Sequence, residues 1–236
     1  MSEIFVGIGN VKMQKKRGIL FLLECGNVNE KTYCEILNKV SDGRKNKAQS
    51  YQFFTDRVLS VMAELSLMYL LRKYYGYDAS EYTILQQECG KPYLVNIPSI
   101  EFNISHTNSL VAVLVANVEV GIDVEKWCRI SEESMQHVMR FALSNDENDY
   151  IEREHGEKKI RFCQVWTAKE AYCKMKGSGI FAELENIKYK SDIASEGVQF
   201  GDYYISLCGI SLSDCHIICK DEKYISEMLS LLNEHR

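Results

Sequence analysis

Proline is almost missing from this chain, with two residues in 236, and no Pro-rich, Gly/Ser-rich or low-complexity stretch interrupts it. Extended linkers and fibrous architectures are therefore excluded. Long apolar runs are missing too. A bilayer-spanning helix needs about 18 to 20 consecutive apolar residues, and the best run, Leu110 to Val118, already contains Asn117. No membrane span is expected. Positive charge is in deficit, 28 Lys and Arg against 33 Asp and Glu for a net charge of −5, which argues against a broad nucleic-acid surface. Nor is there a Cys-x-x-Cys pair. The nine cysteines are odd in number, and the basic cluster Lys12, Lys15, Lys16 and Arg17 follows the first apolar stretch, the reverse of a secretory signal. Reduced thiols, mostly buried, and a cytoplasmic address are the expectation. The cluster Cys215, His216 and Cys219 lacks the further ligand that a tetrahedral zinc site needs.

What is present is an ordinary globular composition, 46% hydrophobic and 26% charged, in a length that suits one large domain or two small ones. Residues 1–117 carry 13 Lys and Arg against 11 Asp and Glu, whereas residues 118–236 carry 15 against 22. A front half that handles phosphates and a back half that holds a cation would suit that asymmetry. The run Ile4-Phe5-Val6-Gly7-Ile8-Gly9-Asn10 has an echo in Val118-Glu119-Val120-Gly121-Ile122-Asp123-Val124. Each is followed by apolar residues near a 3.6 period: Val58, Val61, Met62, Leu65 and Met68 in the first half, Phe162, Val165, Trp166 and Cys173 in the second. β-like segments over 104–116 and 203–219 then close each half. The pattern predicts an α+β fold of two similar subdomains, 1–117 and 118–236, each a helix packed on a small, mostly antiparallel sheet. Coincidence of a short motif is the competing reading of the echo.

Three clusters could carry chemistry. In Gly121-Ile122-Asp123-Val124-Glu125-Lys126 a strand would put Asp123 and Glu125 on one face, with Ile122 and Val124 on the other. Two like charges side by side repel, so a hard cation such as Mg²⁺ would make the pair favourable; a solvated strand face is the simpler reading of the segment alone. On a helix, Trp166, Glu170 and Lys174 share a side, which adds a third carboxylate with a lysine one turn on. An exposed Glu–Lys pair is the alternative there. Gly177 and Gly179 end that helix. The third cluster is Gly90-Lys91-Pro92 with Phe102-Asn103-Ile104-Ser105-His106-Thr107. Ser105 and His106 are strand neighbours that face opposite ways, so phosphate contacts suit them better than a nucleophile pair.

Taken together, GKP, FNISHT, VGIDVEK and WTAKEAYCKMKGSG, spanning Gly90 to Gly179, resemble the 4′-phosphopantetheinyl transferases, specifically the long, monomeric type that serves peptide-synthetase and related carrier proteins. The resemblance implies subdomains related by a pseudo-twofold axis. It also implies transfer of the phosphopantetheine arm of coenzyme A to a serine of an apo peptidyl or acyl carrier, with Mg²⁺ required and adenosine 3′,5′-bisphosphate released. Asp123, Glu125 and Glu170 would surround the metal, and Lys174 would contact the coenzyme A pyrophosphate. Ser105 and His106 would bind toward the 3′-phosphate, and Lys91 would line the adenosine side. Glu147 falls at a glutamate proposed to help activate the attacking serine, and Arg44, Lys47 and Arg57 fall where coenzyme-binding cations lie. The partner would be a small, acidic helical carrier domain. Two rivals use the same residues: a Mg²⁺-dependent phosphoesterase with water as nucleophile, and a non-catalytic relative that holds coenzyme A.

Overall fold

A strand without a polar residue has to be covered on both faces, and residues 110–116, LVAVLVA, are buried along their whole length. The computed structural model describes residues 17–153, 156–178 and 184–234. The first half runs β1 (Gly18–Glu24), α1 (Glu30–Leu37), α2 (Asp42–Ser50), α3 (Phe54–Leu70), β2 (Thr83–Gln86), β3 (Pro92–Val95), β4 (Glu101–Thr107) and β5 (Leu110–Ala116). It continues through β6 (Gly121–Lys126), α4 (Glu132–Ala142), α5 (Asn145–Glu152), α6 (Lys158–Lys176), β7 (Ser195–Phe200), β8 (Tyr203–Cys208), β9 (Cys215–Lys220) and α7 (Ile225–Asn233).

The strands form a four-stranded sheet in the order β4-β5-β1-β9, a three-stranded sheet in the order β6-β8-β7, and the separate hairpin β2-β3. Strand alternation builds two cores from one sheet. Ile19, Phe21 and Leu23 of β1 and Val111, Val113 and Val115 of β5 face α3, which contributes Val58, Val61, Met62 and Leu65. The residues between them, Leu20, Leu22, Leu110, Ala112 and Leu114, face the second sheet and meet Ile122, Val124, Ile205 and Leu207. Helix α6 covers the far side of that sheet through Ala168 and Ala171 against Cys208. The layers are thus helix, sheet, sheet, helix, the α+β architecture expected from the sequence.

The division at residues 117 and 118 is not clean. Strand β9 pairs in parallel with β1, Gly18 opposite Cys215 through Leu23 opposite Lys220, and Ile225 and Met228 of α7 join the core under α3. The end of the chain therefore returns to the first sheet, where it covers an edge of β1 that would otherwise be unpaired. The Ile4 to Asn10 run and Gly179 lie outside the described residues.

Helix α6 ends at Gly177, whose φ of 68° and N–H to the Cys173 carbonyl make a left-handed cap. A second glycine sets how closely α6 approaches the sheet: a Cβ on Gly121 would fall 1.9 Å from the Ala171 carbonyl oxygen and 2.7 Å from Met175 N. Both are backbone atoms that cannot swing aside. Gly121→Ala is expected to cost at least about 3 kcal/mol, a fall of roughly 6–12 °C in the unfolding midpoint. A calorimetric scan with the midpoint unmoved would contradict this packing.

Candidate active site

Strand β4 faces β6 with every second residue, and those residues are polar. The Asn103 Oδ1 accepts from the Ile122 N–H at 3.0 Å and the Ser105 Oγ accepts from the Val124 N–H at 3.3 Å, while Thr107 stands against the Glu125 carboxylate. Side chains thus substitute for a backbone ladder between the two sheets, which leaves no orphaned strand donors at these two positions. The consequence is a fixed seam. Ile122 and Val124 turn into the core, so Asp123 and Glu125 turn to the other face of β6, where Glu170 and Lys174 approach from α6.

Asp123 is 5% exposed. Its Oδ1 accepts from Lys174 Nζ at 2.6 Å and from Ser105 Oγ at 2.8 Å, and Lys174 Nζ also reaches Ser105 Oγ at 3.1 Å. The other oxygen, Oδ2, is buried without a hydrogen-bond partner, and so is Glu170 Oε1. Burial first, and then the charge of Asp123, push the Glu170 and Glu125 carboxyls up to about 7. Two orphaned carboxylate oxygens and two carboxyls held near neutrality form a site that would gain from positive charge. Among the described residues no group of three or more His, Cys, Asp or Glu stands so that it could by itself hold a metal ion. Asp123, Glu125 and Glu170 suit instead a hard cation that keeps water and substrate oxygens in its shell.

Glu170 and Lys174 open onto a cavity of about 760 Å³ whose walls also include Arg44, Lys47, Lys91 and His106, with Ile84, Leu85, Pro92 and Ile104 as apolar lining. The size and the few convergent polar groups suit a ligand of nucleotide dimensions. Burial, then the charges of Lys174, Arg44 and Lys47, push the His106 imidazole down to about 4. It is neutral at pH 7 and is surrounded by cations, an environment that favours an entering anion. Burial and Arg44 also lower the Lys47 ammonium.

Three residues singled out from the sequence stand elsewhere than expected, and a fourth, Lys91, lines the cavity but directs its charge away from it. The Ser105 hydroxyl donates to Asp123 across the seam and is not part of the cavity wall, which its neighbour His106 lines. Lys91 lines the cavity with its stem, but its ammonium donates to the Met175 carbonyl at 2.6 Å, at the end of α6. Arg57 is not part of the cavity wall; its Nε donates to the Tyr51 carbonyl just after α2. Glu147 is buried at the start of α5. One oxygen takes Lys169 Nζ at 2.7 Å and the Ser144 N–H, and the other takes the Tyr189 N–H. Both oxygens are thus hydrogen-bonded within the fold, and Glu147 is not part of the cavity wall. Asn103 and Glu64 were not singled out. The polar alternation 103, 105, 107 was the available signal for the first, and a carboxylate inside the apolar face of α3 for the second.

The sequence pattern of the 4′-phosphopantetheinyl transferase superfamily matches residues 119–208, and that of the 4′-phosphopantetheinyl transferase N-terminal region matches residues 27–119. Similar proteins include the 4′-phosphopantetheinyl transferase Sfp of Bacillus subtilis (strain 168), 25% identical over 151 residues covering 64% of this chain and 66% of Sfp. The 4′-phosphopantetheinyl transferase psf-1 of Bacillus pumilus is 26% identical over 60% of this chain and 59% of its own length. The L-aminoadipate-semialdehyde dehydrogenase-phosphopantetheinyl transferase of Candida glabrata is 28% identical over 56% and 52%. The alignments thus span about two thirds or less of each of these relatives.

Proposed function

The chain belongs to the 4′-phosphopantetheinyl transferase superfamily, and on that premise we propose that it transfers the 4′-phosphopantetheine group of coenzyme A to a serine of an apo peptidyl or acyl carrier protein, with release of adenosine 3′,5′-bisphosphate. The observation that carries this reading is the seam beside the cavity, where Asp123 and Glu170 each keep a buried oxygen without a partner while Arg44, Lys47 and Lys174 supply the opposite charge around a neutral His106. Such an arrangement suits an anhydride of two phosphates, since phosphoryl transfer is mostly positioning and charge neutralisation.

Asp123, Glu125 and Glu170 are the residues that would hold Mg²⁺, which when bound supplies positive charge to the pyrophosphate. The chain's own residues do the rest. Arg44, Lys47 and His106 take the 3′-phosphate of the nucleotide. Lys174, which now rests on Asp123, lies next to the phosphates and neutralises the charge that grows on the departing bisphosphate. The serine hydroxyl loses its proton to solvent, its oxygen bonds to phosphorus as the anhydride bond breaks, and adenosine 3′,5′-bisphosphate leaves.

The test is direct: incubate the protein with coenzyme A, Mg²⁺ and an apo carrier, and weigh the carrier by mass spectrometry. A gain of one phosphopantetheine group, prevented by a chelator, is the expected result. Free phosphopantetheine released without a carrier would identify a phosphoesterase instead, and coenzyme A binding without turnover a non-catalytic relative.

Stability should report the same carboxylates. Glu125 and Glu170 are raised from 4.5 to about 7 in the folded protein, so between those values the native state holds more protons than the unfolded chain. Stability of the metal-free protein should fall as pH rises through that window. Mg²⁺ should then raise the unfolding midpoint more at pH 8 than at pH 5; equal shifts at both would contradict the assignment.

A further inference from the structure

Helix α2, DGRKNKAQS, has one buried residue, Ala48, so apolar burial does not explain why it docks on α3. Glu64 does. This carboxylate sits among buried residues of α3 and is 3% exposed. Its Oε1 accepts the Ser41 N–H at 2.6 Å, at the start of α2, and its Oε2 accepts from Arg44 Nε at 3.1 Å. Arg44 Nη1 lies 3.4 Å from Ser60 Oγ, which also comes from α3. A buried anion in the wall of an anion cavity would repel its ligand if it were bare. Here it is neutralised from one side by the guanidinium, whose remaining donors are free to serve the cavity that Arg44 lines with Lys47 and His106.

We infer that Glu64 is a positioning residue: it fixes α2 on α3, aims Arg44 into the cavity, and thereby sets the preference for coenzyme A over dephospho-coenzyme A, which lacks the 3′-phosphate. The inference rests on the transferase reading for its substrate. It goes beyond that reading in assigning the choice between the two coenzymes to a carboxylate that acts through the Arg44 guanidinium.

Steady-state constants for both coenzymes in the wild type, Glu64→Gln, Arg44→Gln and the double variant test it. Gln keeps the shape of Glu but removes the charge, and its single amide oxygen can accept from only one of the two donors, Ser41 N–H and Arg44 Nε–H. Glu64→Gln should raise KM for coenzyme A by ~10-fold while leaving kcat and the KM for dephospho-coenzyme A within about twofold. In the Arg44→Gln background the same change should shift KM by less than about twofold, because Glu64 acts through Arg44. Equal KM increases for the two coenzymes, or additive effects in the double variant, would overturn the inference. Calorimetric binding of adenosine 3′,5′-bisphosphate against adenosine 5′-monophosphate reads the same preference without turnover. A wild type that transfers nothing would thus defeat the transferase reading, while the loss or persistence of that binding preference in Glu64→Gln would still decide the role of Glu64. Should Glu64→Gln fail to fold, Glu64→Asp, which keeps the charge and shortens the reach, should show the same selective KM rise; an unchanged ratio between the coenzymes would count against the role.

Discussion

Glu170→Gln should abolish transfer, by at least about 1000-fold, and yet leave the protein at pH 8 as stable as the wild type or more so. The two effects have one cause. Glu170 is buried, its Oε1 has no partner, and burial together with Asp123 holds its carboxyl near 7, so above that pH the metal-free protein carries an unfavourable charge. An amide of the same shape removes the charge and empties no volume. The gain is at most roughly 3 kcal/mol, since each pKa unit is about 1.4 kcal/mol. A residue that costs stability and supplies function is the signature of a site built for a ligand. Thermal unfolding at pH 8 and transfer rates on one preparation check it. A variant that turned over at the wild-type rate, or lost several kcal/mol, would refute the assignment.

Lys174→Ala should behave in the opposite way on stability. Its ammonium holds Asp123 at 2.6 Å, and Asp123 is almost wholly buried, so truncation leaves a buried carboxylate with only the Ser105 hydroxyl. The lysine itself is partly exposed, which softens the loss to about 1–3 kcal/mol at neutral pH. Turnover should fall by about 2–4 kcal/mol of transition-state stabilisation, roughly 30- to 1000-fold. Mg²⁺ should restore the stability and not the rate, because a cation can replace the ammonium at Asp123 but not its contact with the departing phosphate. Recovery of both, or of neither, would count against separate roles for the metal and the lysine.

The parts of this protein that were legible in its sequence are those encoded by local period. Alternation in β6 placed Asp123 and Glu125 on one face, and the four-residue spacing in α6 placed Glu170 and Lys174 on one side; both arrangements follow from backbone geometry alone. The parts that were not legible depend on what a side chain meets across the fold. Lys91 and Glu147 find partners at Met175 and Lys169, far off in the chain, and the pairing of β9 with β1 joins segments at opposite ends of it. No period in either segment encodes the other. Residues 104–116 read as β-like but not as two antiparallel strands, because the tight turn at Asn108, with its φ of 53°, carries no glycine to announce it.

The account stands on carboxylates from β6 and from α6 sharing one divalent ion. Manganese, as a spectroscopic substitute, makes that measurable: titrated into the protein with coenzyme A present and followed by electron paramagnetic resonance, it should bind at one site per chain. Asp123→Asn and Glu170→Gln, altered on different elements, should each abolish that binding. If either variant holds Mn²⁺ as tightly as the wild type, the two carboxylates do not share an ion and the account is contradicted.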